Sequence, residues 1–175
     1  MYIVEGYPEF EQDVKEIWNR FISRNNFEVV KINIHSLELR NEKCIIRLNL
    51  NAGQRISYFF LNPKTLQNVH YITLAIYFGI YPLKKGNLLG AIDYPLTMDE
   101  WTDLYIEEDY RAICKVDLPI LLDEIEGNFQ FVIDGDFSWE QNIDTWQEWY
   151  DANHKPGVPY QYKELSYEHY LKEKQ

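Results

Sequence analysis

The stretch Cys44–Leu61, CIIRLNLNAGQRISYFFL, decides the fold because apolar residues recur at every second position on either side of a short polar break. The apolar positions of the two runs are Cys44, Ile46, Leu48, Leu50, Ile56, Tyr58 and Phe60. A period of two is typical of a strand with one buried face. The break, Asn51–Gln54, contains Gly53, which tolerates the positive φ of a tight turn. The sequence therefore predicts an antiparallel hairpin.

Strand-like sequence continues upstream of this hairpin. The run Phe27–Ile34 is rich in β-branched residues and alternates, with one side carrying Val30, Ile32 and Ile34. Leu37 and Leu39 have the opposite parity, so we expect a bulge or turn near His35. Asn41–Lys43 has the composition of a second turn. Together with the hairpin, these segments predict a meander of three or four strands.

An amphipathic helix is expected before the sheet. The spacing that predicts it is an apolar stripe at Phe10, Val14, Ile17, Trp18 and Phe21. We predict that this helix ends at Asn25-Asn26.

The segment Leu66–Tyr81, after the hairpin, fits either a buried helix or a strand. Its length exceeds that of a usual strand, so we predict a helix that ends near Gly79.

The later half is predicted to be largely helical. Thr97–Glu100 and Ser138–Gln141 both have the spacing of a capping box, which starts a helix. Asp117–Pro119 is predicted to open another helix, with proline in its first turn, and Gly127 to cap its end. The second capping box is followed by an apolar seam at Trp139, Ile143, Trp146 and Tyr150.

One more strand and a tail complete the prediction. Phe129, Phe131 and Ile133 alternate, which predicts a strand ending at the turn Asp134–Asp136. The fold class is α+β, with an N-terminal helix, an antiparallel β-meander of three to five strands and several helices packed on it. Residues 1–153 are predicted to form a single domain, and 154–175 a Pro/Gly linker and Tyr-rich tail.

The negative charge is concentrated in one part of the chain. The net charge is −11 over 175 residues, and residues 93–151 hold 17 acids but only two bases, Arg111 and Lys115. Such a field repels nucleic acid and anionic membranes, and it attracts a cationic protein or a divalent metal ion. The alternative is that the acids only keep the protein soluble.

Motifs that would indicate chemistry are absent from the sequence. The spacing Asp134, Asp136, Ser138, Glu140 begins like a calcium loop, but Trp139 and Thr145 then occupy the positions for glycine and glutamate. The sequence contains no nucleophile elbow, phosphate-binding glycine loop or zinc motif. We therefore predict no catalytic residues, no cofactor and no metal site.

The cellular compartment is predicted from the two cysteines and from the acidic residues near the N-terminus. Cys44 and Cys114 lie 70 positions apart, without disulfide-framework or zinc-ligand spacing, and suit a reducing cytoplasm. Because four acids fall within the first 13 residues, we expect no signal peptide, and no apolar run is long enough for a membrane helix.

The leading hypothesis is a non-enzymatic, cytoplasmic protein-binding domain with an acidic face. The most economical example is a bacterial immunity or inhibitor protein that neutralises a cationic toxin such as a nuclease. Aromatic residues beside acids are typical anchors for a basic partner. The candidate partner-binding residues are Asp99, Glu100, Trp101, Asp103, Glu107, Glu108, Asp109, Asp144, Glu148 and Trp149. The alternatives are a hydrolase with scattered carboxylates, using Asp134 or Asp136, and a subunit of a larger assembly that docks through its tail.

Overall fold

The computed structural model describes residues 7–50, 56–80, 99–100, 110–155 and 161–175. Five strands form one antiparallel sheet: β1 (Glu28–Asn33), β2 (Ser36–Arg40), β3 (Ile45–Leu50), β4 (Ile56–Leu61) and β5 (Asn68–His70). The seven α-helices of the described ranges are α1 (Phe10–Ile17), α2 (Asn19–Arg24), α3 (Tyr71–Tyr77), α4 (Tyr110–Asn128), α5 (Gln130–Ile133), α6 (Glu140–Asn153) and α7 (Tyr167–Glu173), and a 3₁₀ helix spans Gln161–Leu165. This arrangement confirms the predicted α+β class, with an N-terminal helix and helices packed on a sheet.

The sheet is a meander in which each strand pairs with its neighbours in sequence, in the order β1-β2-β3-β4-β5. One row of cross-strand partners runs through all five strands: Val29, Leu39, Ile46, Phe60 and Val69. The alternation read from the central strands is confirmed, because every predicted inward side chain from Cys44 to Phe60 is buried. The predicted loop Asn51–Gln54 lies outside the described residues.

The inner face of the sheet and the helices share one apolar core. Helix α1 packs against α4, while α3 and α4 both contact β4. The largest fully buried side chains of this core include Trp18, Phe21, Tyr58, Phe60, Phe129 and Trp146. Trp18 also donates from Nε1 to the carbonyl of Leu118 at 2.8 Å, which connects the N-terminal helical region to α4.

The outer side of β1 is not covered by the core. Ile32 and Ile34 are 46% and 44% exposed. Val29 pairs with Leu39 on the face of the sheet that the core covers. Because side chains alternate along a strand, Val30 and Ile32 lie on the opposite, uncovered face. The register shifts between Lys31 and Asn33, near the bulge or turn that the sequence predicts.

The predicted first helix is divided in two. Helix α1 ends before Trp18, whose φ of −96° and ψ of 12° interrupt regular helical geometry, and α2 continues from Asn19. The predicted end at Asn25-Asn26 is confirmed, and Asn26 adopts a positive φ of 53°.

The prediction of a helix over Leu66–Tyr81 is wrong in its first part. Leu66 has a positive φ of 58°, Asn68–His70 forms the edge strand β5 against β4, and only then does α3 begin. The helix ends at Tyr77, and Gly79 takes up a φ of +68° just after it, as the stop signal predicts.

Two further assignments in the later half are corrected. Helix α4 does not open at Asp117–Pro119, because the helix already includes Tyr110 and runs through Pro119 to Asn128. Its apolar stripe includes Cys114 and Leu118 and continues across the proline, which lies on the exposed side of the helix. Gly127 is accordingly inside the helix rather than a cap.

The predicted strand at Phe129–Ile133 is instead one helical turn, α5. Its residues also include the buried Val132, so the apolar pattern is not strictly alternating. The turn after it is confirmed, with Gly135 at a φ of +96°. Helix α6 follows at the predicted place, but Ser138 does not cap it: Trp139 occupies the N-cap without a side-chain hydrogen bond.

Residues 161–175 contact the rest of the chain. Trp146 of α6 donates from Nε1 to the carbonyl of Leu165 at 2.9 Å. Tyr77 stacks on Tyr167 with ring centroids 4.6 Å apart. Within the described ranges, the helices are too short or too polar for any of them to cross a lipid bilayer.

Candidate functional site

Helix α6 separates its apolar and acidic residues onto opposite sides. The predicted seam is buried at Trp139, Ile143 and Trp146 and half-buried at Tyr150. The opposite side carries Asp144, Glu148 and Asp151, all exposed, at spacings of four and three residues. These spacings place the three carboxylates along one stripe of a helix. We call these three residues the acidic stripe.

The acidic stripe keeps its charge available to solvent. Asp144 and Glu148 make no ion pair within the described part of the chain. Asp151 accepts a hydrogen bond from Nε2 of Gln147 at 2.9 Å, a neutral donor that leaves the negative charge uncompensated. Three carboxylates within three helical turns therefore make a continuous negative surface.

Trp149, a predicted anchor, lies beside this stripe but is engaged with α7. It is half-buried, its Nε1 donates to Oε2 of Glu173 at 3.2 Å, and its ring lies 5.4 Å from that of Tyr170. The side chain therefore holds the C-terminal helix against α6.

The other candidate residues fall at or outside the edge of the described ranges. Asp99 and Glu100 are helical and exposed. The remaining candidates lie outside the described residues, so this part of the acidic face stays a prediction; they are Trp101, Asp103, Glu107, Glu108 and Asp109.

Not every acid between residues 93 and 151 faces outward. Asp117 and Glu124 are buried. Glu126 pairs with Arg24, and Glu140 accepts hydrogen bonds from Asn62 and Thr65. The exposed acids of this stretch within the described ranges are Asp99, Glu100, Asp123, Asp134, Asp136, Asp144, Glu148 and Asp151. The coherent part of the negative surface is thus the acidic stripe.

Glu124 is a buried carboxyl group whose pKa is strongly perturbed. Tyr58 donates its hydroxyl to Oε1 at 2.7 Å, and Oε2 has no hydrogen-bond partner among the described residues. Burial raises the pKa of Glu124 to about 7, and the bond from Tyr58 only partly offsets that rise. Tyr58 is itself fully buried and stacks on Tyr71 at 4.3 Å. The pair therefore belongs to the core rather than to a cleft open to substrate.

Asp134 and Asp136 do not form a paired acid–base site. Asp134 lines a polar cleft of about 870 Å³ beside Arg24 and Lys43, whereas Asp136 lines a separate groove of about 700 Å³. Hydrogen bonds from Ser138 lower the pKa of Asp136, which keeps its carboxylate ionised. General acid–base catalysis needs two groups with separated pKa values in one cleft, and these two carboxylates line different ones.

The two cysteine thiols and His70 have structural rather than chemical roles. Burial raises the pKa of both Cys44 and Cys114, which keeps the thiols protonated and weakly nucleophilic. Burial lowers the pKa of His70, whose Nδ1 accepts a hydrogen bond from the backbone N–H of Ile72 and caps α3. Among the described residues, no group of His, Cys, Asp and Glu could hold a metal ion.

The groove beside Asp136 brings together apolar residues that the sequence does not mark as a site. Phe78, which follows α3, and Leu171 of α7 line it together with Phe131 of α5. Most large apolar side chains of the described residues are buried, but Phe78 and Leu171 leave 40% and 43% of their surface exposed. Local sequence does not mark this groove, because its lining side chains come from elements distant in sequence.

Comparison with known proteins supplies no family for this chain. No protein-family model matches it, and neither curated proteins nor solved structures show a significant match. The evidence for function therefore lies in the surface of the described residues.

Proposed function

We propose that this chain is a non-enzymatic protein-binding domain whose acidic face engages a cationic protein. The observation that supports this proposal best is the acidic stripe of Asp144, Glu148 and Asp151, exposed on the side of α6 opposite its buried seam. Exposed charges of one sign steer an oppositely charged partner and accelerate its association, whereas they add less to the lifetime of the complex.

The partner class that fits best is a cationic toxin in a bacterial cytoplasm, such as a nuclease. A nuclease must attract phosphate groups, so the surface around its active site is basic. An acidic inhibitor can occupy that surface and exclude nucleic acid, which is the action of an immunity protein. Both cysteines are free and buried, which agrees with a reducing compartment.

The two alternative functions are less well supported. A hydrolase using Asp134 or Asp136 lacks a cleft shared by the two side chains. A tail that acts as a free docking arm fits poorly with a Leu165 that is buried and accepts a hydrogen bond from Trp146.

The experiment compares two triple variants with the same change in net charge. The first, Asp144→Asn with Glu148→Gln and Asp151→Asn, neutralises the acidic stripe. The control neutralises three exposed glutamates of the N-terminal half, Glu9, Glu28 and Glu42, each to Gln. Association with a panel of cationic bacterial nuclease domains is followed by stopped-flow fluorescence at several salt concentrations.

We expect the stripe variant to associate about tenfold more slowly at low salt and to lose most of the salt dependence. The control should change both quantities much less, because its charges lie elsewhere. Equal effects of the two triples would show that only net charge matters and would contradict a dedicated acidic face. Failure of every basic partner to bind would contradict the proposed function itself.

A further inference from the structure

The groove of about 700 Å³ is lined by aromatic and aliphatic side chains from four elements. Phe78 contacts Phe131 edge-to-face with ring centroids 4.9 Å apart. On the other side, Tyr77 stacks on Tyr167, which fixes the end of α3 against α7. Leu171 extends the apolar surface along α7. The groove is therefore built from packed rings, and its shape does not depend on a single flexible side chain.

The exposed apolar area and the volume suit a small docking site. Phe78 and Leu171 leave 40% and 43% of their surface in contact with solvent although both line the same concavity. Exposed apolar surface of this kind is stabilised when a partner covers it. A volume of several hundred Å³ is in the range that holds a ligand or a few side chains.

The rim of the groove is acidic. Asp136 and Glu168 both line it, and none of its described lining residues is Lys or Arg. The carboxylate of Asp136 is held in the ionised form by hydrogen bonds from Ser138. Glu168 pairs with Lys172 at 2.7 Å, so the negative charge that remains uncompensated at the rim is that of Asp136.

The groove continues into the acidic stripe. Gln141 lines the groove and is exposed, and it stands three residues before Asp144 on α6. At a rise of about 1.5 Å per residue, Glu148 and Asp151 lie roughly 10 and 15 Å further along the same side of the helix. An extended segment about five residues long could therefore reach from the groove to the end of the stripe.

We propose that the groove docks one large apolar side chain of the cationic partner, and that basic residues following this side chain in the same segment lie along the acidic stripe. This proposal rests on the proposed function and identifies the kind of segment recognised. Charge complementarity selects this occupant: the rim and the stripe would repel an acidic segment, and a purely apolar one would leave the carboxylates unused.

The test uses two synthetic 12-residue peptides labelled with fluorescein. Each carries four lysines spaced along one half, and the other half has a single Leu in one peptide and Ala in its place in the other. Binding is measured by fluorescence anisotropy at low salt. The variant Leu171→Ser removes an exposed side chain of the groove. The matched control is Ile34→Ser, at a side chain of nearly the same exposure in the turn between β1 and β2.

We expect the Leu peptide to bind the unmodified chain about tenfold more tightly than the Ala peptide. Leu171→Ser should abolish this difference, while Ile34→Ser leaves it unchanged. Thermal unfolding of both variants checks that each is folded. Neutralising the acidic stripe should weaken both peptides by the same factor.

Two results would overturn the docking proposal. One is equal affinity for the two peptides, and the other is a preference for Leu that survives Leu171→Ser. In either case an effect of neutralising the stripe would still support the acidic face, so failure of the groove is distinguishable from failure of the proposed function. A peptide with Gln in place of lysine that bound as tightly as the Leu peptide would contradict a cationic partner for the groove.

Discussion

Single aromatic side chains connect distant parts of this chain through their polar groups. Trp18 donates to the carbonyl of Leu118, Trp146 to that of Leu165, and Tyr58 to the carboxyl group of Glu124. All three aromatic residues are fully buried, so each polar group requires a partner inside the protein. These three aromatic residues therefore serve the core, both through their buried rings and through the partners of their polar groups.

The raised pKa of Glu124 should make the free energy of unfolding depend on pH. Burial raises its pKa in the folded state from 4.5 to about 7. Below pH 4.5 the group is protonated in both states and costs nothing. As the pH rises towards 7, ionisation favours the unfolded state and removes roughly 3 kcal/mol of stability. We expect Glu124→Gln to become more stable than the unmodified chain as the pH rises from 4.5 to 7, measured by urea unfolding.

The control for this prediction is Glu126→Gln. Glu126 lies on the same helix but is half-exposed and pairs with Arg24 at the surface. Its effect on stability should be small across the same pH range. A free-energy difference between Glu124→Gln and the unmodified chain that does not change with pH would contradict a raised pKa.

At the scale of elements, long regular patterns predict the structure and short ones do not. Strands β3 and β4 follow from the apolar residues at every second position on either side of the break at Asn51–Gln54, and α6 follows from a seam of four apolar residues. Alternation at Phe129–Ile133 spans too few residues to exclude a helical turn. Strand β5 depends on pairing with β4, a contact that local sequence does not contain. Pro119 is tolerated in α4 because the surrounding apolar stripe is anchored in the core.

Two glycines in or near helix ends should respond oppositely to alanine. Gly79 has a φ of +68°, and a Cβ there would lie 3.3 Å from Cβ of Ser166. Gly127 lies inside α4, and a Cβ would meet nothing within 4 Å. We expect Gly79→Ala to lower the free energy of unfolding by about 1–2 kcal/mol, and Gly127→Ala to raise it by up to about 1 kcal/mol. Denaturant unfolding of both variants gives the comparison, and a change of the same sign in both would refute it.

At the scale of the whole molecule, the sequence predicts only the part of the candidate site that lies on the single helix α6. Asp144 and Glu148 could be assigned to a surface because their spacing matches one side of α6. The groove could not be foreseen, because Phe78, Phe131 and Leu171 come from three separate parts of the chain. Nor does net charge show that Glu124 is buried or that Glu126 is paired. Charge and spacing predict a surface, whereas its concavities depend on tertiary packing.

The relation of the C-terminal residues to the rest of the molecule can be tested by two truncations. A chain ending at Asn153 loses the carbonyl of Leu165, which leaves the buried Nε1 of Trp146 without its acceptor and uncovers its ring. We expect a loss of about 3 kcal/mol or more and a red shift of tryptophan fluorescence. A chain ending at Ser166 keeps that contact and should lose less stability, although it lacks the Leu171 side of the groove. If both truncations unfolded at the temperature of the full chain, residues 154–175 would be a dispensable tail beside a complete domain of residues 1–153.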